Sequence, residues 1–439
     1  MTDPDHAKSI GYVELLGGNR EFRKLWTGQL ISQTGDWFNN VALFTLMLSL
    51  TGKSESVGYI LILKLLPTFF VGPFAGVVAD RFNRKAIIII SDVLRGFLVL
   101  GFLFIKSPDQ VWIVYLLTAL QVVGTTFFEP AISASIPMIV PRRGLITANA
   151  LASASWAVTL SLGAAAGGLV TDLLGRDTAF VIDSISFFIS AAFIWFVRFP
   201  PTPAKSPRAE KKLSFANITG LTDMIEGARY LRSNPSVVTV LLVKSGWGVG
   251  GGVLLLLTIF GKQIFPIGRD GSASIGLLYA ARGLGAFMGP VIARLFTGTS
   301  LRTMRRAITI AFFVSSAFYL MFAHSPHLAV AALCVMGAHA GGSIQWTFST
   351  TLLQMSAENR FLGRVFAIEQ ALVMLVISAS TYLTGWAIDR AGLSARQMAT
   401  VLGLAFIIPG LIWMIAERRL KIDSEDVEPS PIVTVESAD

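Results

Sequence analysis

Asp36 and Glu129 are carboxylates set inside long apolar stretches of this chain, and that placement invites chemistry. An ionised side chain in hydrocarbon is costly unless paired or hydrated, so such a residue is a functional candidate by default. The chemistry open to it is proton loading and release as its access to water changes. Asp36 sits in Gly35-Asp36-Trp37, near the middle of the stretch 25–50. Its plainer role is a hydrogen-bonded residue packing that stretch, or a fixed pair with Lys64. Glu129 precedes Pro130, which frees a backbone carbonyl and can bend a helix. The plainer role there is a gate residue meeting Arg142 or Arg143.

Lys64 and Arg282 occupy matching places in two similar segments, Ser56-Val57-Gly58 to Gly72-Pro73 and Ser274-Ile275-Gly276 to Gly289-Pro290. Two facing cations could receive a carboxylate, catecholate or phosphate of a bound molecule. Alternatively they neutralise Asp36, or snorkel toward water. Asp92 and Arg95 stand one helical turn apart and read as a structural pair. Lys244 reads as snorkelling or paired. His339 and Glu369 are further proton-group candidates, although a lone histidine in a helix is more often simply hydrogen-bonded. Trp37, Gln121, Phe128, Trp247, His339, Gln345 and Trp346 could line an adaptable cavity, since rings offer contact area without one required hydrogen-bond pattern. Any single ring serves equally as packing or as an interfacial belt.

Cofactor chemistry finds no support. Cys334 is the one cysteine, which excludes an intramolecular disulfide and a thiolate cluster. His324 and His327 have no carboxylate near them in sequence, so no metal site is expected. Gly52-Lys53-Ser54 lacks the upstream glycine of a phosphate loop. Gly246-x-Gly248-x-x-Gly251 lies in an apolar stretch with no strand before it, so the dinucleotide fingerprint is not met; a flexible or closely packed segment is expected instead.

The elements that position these residues follow from composition. The 439 residues are 53% hydrophobic and 14% charged, with a mean hydropathy of +0.64, which cannot cover a soluble protein of this size. Twelve apolar stretches, each long enough to cross hydrocarbon as a helix, fall at about 25–50, 57–78, 86–105, 111–136, 148–171, 178–198, 236–260, 272–296, 307–323, 327–352, 365–388 and 396–416. The second half repeats the first. Besides the segments above, Gly168-x-x-x-Asp172-x-x-Gly175 recurs as Gly385-x-x-x-Asp389-x-x-Gly392, about 217 residues on. Two membrane-embedded repeats with a site between them are the pattern of a secondary transporter.

The net charge of +9 is distributed as a membrane protein would have it. Of 36 Lys and Arg, seven lie in the odd-numbered connections: Lys53, Lys106, Arg176, Lys262, Arg269, Arg390 and Arg396. The excess on the even connections and termini predicts that both termini are cytoplasmic, with basic loops facing anionic lipid rather than nucleic acid. The stretch 199–235 opens with Pro200, Pro201, Pro203 and Pro207, then places Ile218, Leu221, Ile225 and Ala228 at helical spacing. It reads as a linker with an amphipathic helix on the inner membrane face. The tail 417–439 turns acidic and is expected to be disordered. Gly72/Gly76, Gly163/Gly167, Gly285/Gly289 and Gly337/Gly341 are expected to mark helix contacts.

The connection after the second stretch reads Gly76-Val77-Val78-Ala79-Asp80-Arg81-Phe82-Asn83-Arg84-Lys85. It resembles the G-x-x-x-D-R-x-G-R-K loop of the major facilitator superfamily, with Asn83 in place of the usual glycine, a residue that also tolerates left-handed backbone. Gly35-Asp36-Trp37, Asp92-x-x-Arg95 and Phe128-Glu129-Pro130-Ala131, followed by Pro137 and Ala148-Asn149-Ala150, look like an exporter group of macrolide-efflux-like and siderophore-exporter-like bacterial proteins. Gly163-x-x-x-Gly167-Gly168 is similar to the antiporter motif but lacks its proline. The resemblance implies an all-α membrane protein of twelve helices in two six-helix bundles, residues 1–198 and 236–416. It assigns Gly76, Asp80, Arg81, Arg84 and Lys85 to a gating loop. It implies a monomer in a bacterial inner membrane that is not an enzyme and exports an amphipathic, drug-like or siderophore-like molecule against protons. Lysophospholipid translocation is the nearest alternative. An intramembrane enzyme would need clustered catalytic groups, and a non-transporting receptor or scaffold would show no flux to lose.

Overall fold

The computed structural model describes residues 11–200, 221–297, 301–358 and 361–418, and within these there are helices and turns but no strand. Among the described residues, ten helical segments are long and apolar enough to cross a membrane, from Arg84–Phe104 through Ala395–Glu417. The first two expected crossings are helical but fall short of that description, each for its own reason. Helix α2 (Arg20–Thr51), which follows the short α1 (Tyr12–Gly18), has ample length. Its middle carries Gln29, Gln33, Thr34, Asp36, Asn39 and Asn40, which lower its apolarity. The second crossing is broken into α3 (Ser54–Leu63) and α4 (Leu66–Arg81). Pro67 causes the break: it has no N–H to give the preceding turn and its ring clashes with a carbonyl there. The chain bridges it with a tight turn, the Leu65 N–H donating to the Ile62 carbonyl at 3.0 Å.

The first half continues with α5 (Arg84–Leu100), α6 (Val111–Ile139), α7 (Leu145–Val158), α8 (Ala164–Leu173) and α9 (Arg176–Trp195). Helices α7 and α8 form one crossing, joined through a π-helical turn at Thr159–Gly163. Helix α2 packs on α9, α5 on α6 and α9, and α4 on α6.

Helix α10 (Leu221–Ser233) is the described part of the linker; its proline-rich start lies outside the described residues, as does the acidic tail beyond residue 418. It docks on the second half: Tyr230 stacks on Phe361 with centroids 4.3 Å apart, and Arg364 pairs with Glu226 at 2.9 Å. The second half comprises α11 (Pro235–Gly248), α12 (Val253–Ile259), α13 (Ser272–Thr297), α14 (Leu301–Ala323), α15 (Leu328–Ser356), α16 (Leu362–Asp389), α17 (Ala395–Ala405) and α18 (Ile407–Glu417). Helices α11 and α12 are one crossing interrupted over 249–252, where the glycine run sits. The break is closely packed: a methyl on Gly251 would meet Ile377 backbone at 2.8 Å, and Ser380 Oγ donates to the Val249 carbonyl at 2.6 Å while accepting from the Gly252 N–H at 3.0 Å.

Three of the four expected small-residue contacts are close approaches. Gly167 lies against the α2 backbone at Phe38, Gly285 and Gly289 against the α15 carbonyls of Met336 and Ala340, and Gly337 and Gly341 against α14. Gly72 and Gly76 are the exception: a methyl on either would meet nothing within 4 Å. They lie on the part of α4 that no neighbouring helix approaches at that distance.

Candidate functional site: a closed end and two unlike charge clusters

The two halves meet along α3 with α16 and along α8 with α13, pairings that the internal duplication interchanges. Among the described residues, the ion pair, most hydrogen bonds and the ring contacts between the halves lie toward the end carrying the 51–54, 174–176 and 265–272 turns, and Ser161 Oγ donates across the halves to the Ala280 carbonyl at 3.1 Å, mid-way along its crossing. The repeated Gly-x-x-x-Asp-x-x-Gly segments build this closed end. Gly168 admits α13: a methyl there would be 2.7 Å from the Ser272 carbonyl and 2.8 Å from Gly276 Cα. Gly385 likewise admits the α3 backbone at Glu55. Asp172 accepts from the Arg269 N–H just before α13, and Asp389 accepts from the Glu55 N–H at 2.6 Å in the first turn of α3. Each aspartate thereby satisfies a donor at a helix start in the other half. Gly175 and Gly392 then turn the chain at φ 88° and 73°, a backbone region that favours glycine. Arg390 reaches Glu55 at 3.6 Å. The innermost ring contact is Trp37 against Tyr279, centroids 5.8 Å apart.

Just inward of that contact the first half presents an acidic cluster. Asp36 is half-buried and makes no hydrogen bond to a described residue. The absent side chain of Gly35 lets α9 approach, a methyl there meeting Asp183 Oδ1 at 2.7 Å. Asp183 is fully buried, its Oδ2 has no partner, and its Oδ1 accepts only a 3.4 Å bond from Ser186. Lys64, at the α3–α4 break, donates to Asn40 Oδ1 at 2.5 Å and lies within electrostatic range of both Asp36 and Asp183. Asp183 escaped the sequence reading although it carries the same signal as Asp36. It stands five residues into the expected stretch 178–198; α9 begins at Arg176 and seats it two turns in.

Arg95 and Asp92 form an ion pair sealed within this half. The guanidinium lies over Phe128 at 4.6 Å and Phe187 at 4.3 Å, and Ser190 donates to Asp92 at 2.7 Å. Phe128 is thus packed beneath Arg95 and 5% exposed, the packing role that the sequence left open for any single ring. Gln121 is buried. Glu129, next to Phe128 in sequence, is exposed and forms no ion pair among the described residues; of its expected gate partners, the Arg142 side chain lies outside them.

The second half is organised around cations. Lys244 of α11 pairs with Glu369 of α16 at 2.8 Å and lies 4.6 Å over the Trp346 ring. Trp346 meets Trp247 edge-on, centroids 5.5 Å apart. Arg282 of α13 is different. Its Nε is buried without a partner, and the ionisable groups in reach are Tyr279, Tyr319 and His339. Tyr279 already donates to the Leu254 carbonyl at 2.9 Å, and His339 Nδ1 lies 3.2 Å from the Val335 carbonyl. Gln345 is fully buried with both amide atoms unpartnered. Lys64 and Arg282, at matching places in the two repeats, therefore have unlike surroundings: among the described residues, two carboxylates lie near Lys64 and none near Arg282.

At the far end of α4 the side chains of Asp80 and Arg81 lie outside the described residues. Arg84 donates to the Ala134 carbonyl at 2.9 Å and Lys85 to the Trp195 carbonyl at 2.6 Å, tying this connection to α6 and α9. Asn83 has φ −65°, so it substitutes for glycine without left-handed backbone; it caps α5, accepting from the Ala86 N–H at 3.2 Å.

The sequence profile of the Major Facilitator Superfamily matches residues 25–378. The chain is 25% identical over 90% of its length to the MFS-type transporter YfiS of Bacillus subtilis, covering 92% of that protein. It is 22% identical to macrolide efflux protein A of Streptococcus pyogenes, over 85% of this chain and 91% of that one. It is 26% identical to the putative bacilysin exporter BacE of Bacillus amyloliquefaciens, over 86% and 91%. In fold it resembles a POT family transporter crystallised with 5-aminolevulinic acid (TM-score 0.73, 12% identity, 94% of this chain and 99% of that one) and the nucleoside transporter NupG (TM-score 0.68, 10% identity, 90% and 99%).

Proposed function

The chain belongs to the major facilitator superfamily, and on that premise we propose that it is a proton-coupled exporter of an amphipathic small molecule, working by alternating access. The observation that carries this reading is Asp36: a carboxylate without a hydrogen-bond partner among the described residues, half-buried where the two halves converge, beside Asp183, whose Oδ2 is likewise unpartnered. A carboxylate so situated holds a proton in one access state and releases it in the other, because its hydration changes as the halves rock. The relatives named for macrolide and bacilysin export support the direction. The lysine and arginine bias of the connections supports cytoplasmic termini and puts the closed end outside. The geometry then belongs to the inward-facing state: cargo enters past α4 and α7, proton release at Asp36 accompanies loading, and the Asp172 and Asp389 contacts part as the exit opens.

The test is flux in proteoliposomes under an imposed pH gradient, with cargo identified by a counterflow screen of macrolides, dyes, siderophores and lysolipids. Asp36→Asn is expected to abolish gradient-driven flux even at cargo concentrations that restore full occupancy of the site. Unchanged flux would remove Asp36 from coupling. A second reading, lysophospholipid translocation, is favoured by an apolar groove between α2 and α9. Leu30, Ile31 and Phe38 line it with exposed Ile185, and it reaches Gly35, next to Asp36. Counterflow of lysolipids but of no water-soluble probe would select that reading.

A further inference from the structure

We infer that the cargo is bipolar: a cationic group is received by the Asp36–Asp183 cluster of the first half and a carboxylate by Arg282 of the second. The inference rests on the export reading above and sharpens its substrate class.

The two clusters differ in what they lack. In the first half two carboxylates, Asp36 and Asp183, share one nearby ammonium, Lys64, one of whose three donors goes to Asn40; Arg95 is committed to Asp92. That leaves acceptor capacity, including the unpartnered Asp183 Oδ2. In the second half the buried cation Lys244 is matched by Glu369. Among the described residues Arg282 has no carboxylate partner: its Nε is buried without a hydrogen bond, and its ionisable neighbours are two phenols and an imidazole. A guanidinium half-buried without an anion is costly, and its fork of donors fits a carboxylate bidentately.

Position makes the two deficits one site. Trp37 and Tyr279 touch across the halves. Asp36 immediately precedes Trp37 on α2, and Arg282 lies one helical turn beyond Tyr279 on α13, on the same face. The two deficits therefore sit at similar depth in opposite halves, each on a helix that contributes one ring of the innermost ring contact. A molecule joining ammonium and carboxylate spans the seam that must open for release. Rings on such a cargo would find Trp37, Tyr279, Trp247 and Trp346 nearby. A neutral or purely cationic molecule leaves Arg282 unpaired, and a pure anion leaves the acidic cluster unmatched.

The experiment uses the full chain in nanodiscs and phenylalanyl di- and tripeptides in four forms: zwitterion, C-terminal amide (cation), N-acetyl (anion) and doubly capped (neutral). Binding is read by intrinsic tryptophan fluorescence and by thermal stabilisation. The zwitterion is expected to bind about tenfold or more tightly than either singly charged form, as befits one charge-assisted contact. Arg282→Gln should bring the zwitterion down to the cation's affinity, and Arg282→Lys should retain part of the difference. Asp36→Asn should bring the zwitterion down to the anion's affinity. Equal binding of all four forms, or no binding of the zwitterion, would overturn the inference. So would an unchanged zwitterion-to-cation ratio in Arg282→Gln. A stabilisation by chloride over gluconate that Arg282→Gln removes, without discrimination among the peptide forms, would reassign Arg282 to an inorganic anion. Lysophosphatidylethanolamine runs beside the peptides; binding of that lipid alone, dependent on Arg282, would replace the carboxylate by a lipid phosphate and overturn the soluble zwitterion. These readouts are independent of coupling: a chain with the expected charge preference but no gradient-driven flux refutes proton export and spares the bipolar site.

Discussion

At the scale of single residues, a buried charge means one thing when matched and another when not. Lys244 and Glu369 are both nearly fully buried and paired at 2.8 Å. Removing one partner strands the other, so Glu369→Ala is expected to destabilise the second half by about 3–5 kcal/mol. Replacing both, as Lys244→Met with Glu369→Leu, should recover most of that loss. Unfolding of each variant in detergent micelles checks the pattern, and additive losses in the double variant would contradict it. Asp36, Asp183 and Arg282 are the unmatched set, and their variants are expected to alter transport or binding first and stability less. Asp36 and Arg282 were legible in the sequence as charges inside apolar stretches. Their inequality was not, because whether a cation has an anion beside it depends on which helices the fold brings together.

At the scale of elements, the closed end is held by helix starts in one half and aspartates in the other. Each such cap is typically worth about 1 kcal/mol, or roughly fivefold in a two-state ratio. Asp389→Asn and Asp172→Asn are each expected to shift the population toward the open outer end by about that factor. Gly168→Leu should shift it further, because even its Cβ would collide with α13 backbone. Distances between spin labels at Lys53 and Ala391, both exposed at this end, report the populations. An unchanged distribution in Gly168→Leu would mean that the α8–α13 approach does not control closure. The repeated Gly-x-x-x-Asp-x-x-Gly pattern was visible in the sequence as a recurrence. Its meaning needed the partner helices, since the donors that the aspartates satisfy lie about 97 and 334 positions away in the chain.

At the scale of the whole molecule, orientation follows from charge bias. After Cys334→Ala, which removes the one native thiol (itself buried), single cysteines at Lys53 or Asp109 are expected to react with a membrane-impermeant maleimide added outside intact cells. Cysteines at Arg143 or Arg232 should react only after permeabilisation. Reaction of all four from one side would refute the crossing pattern, and with it the inward-facing assignment of this state.

Membrane residence, the all-helical class and the internal duplication were determined by the sequence alone. Hydropathy, glycine spacing and lysine–arginine bias are local properties that act wherever the segment lies. The tertiary structure decided the rest. It divided the second crossing at Pro67, closed one end of the molecule, packed Phe128 beneath Arg95, added Asp183 to the acidic cluster and left Arg282 without an anion among the described residues. All of these turn on distances between residues remote in the chain, and electrostatics and packing act on distance in space rather than along the backbone.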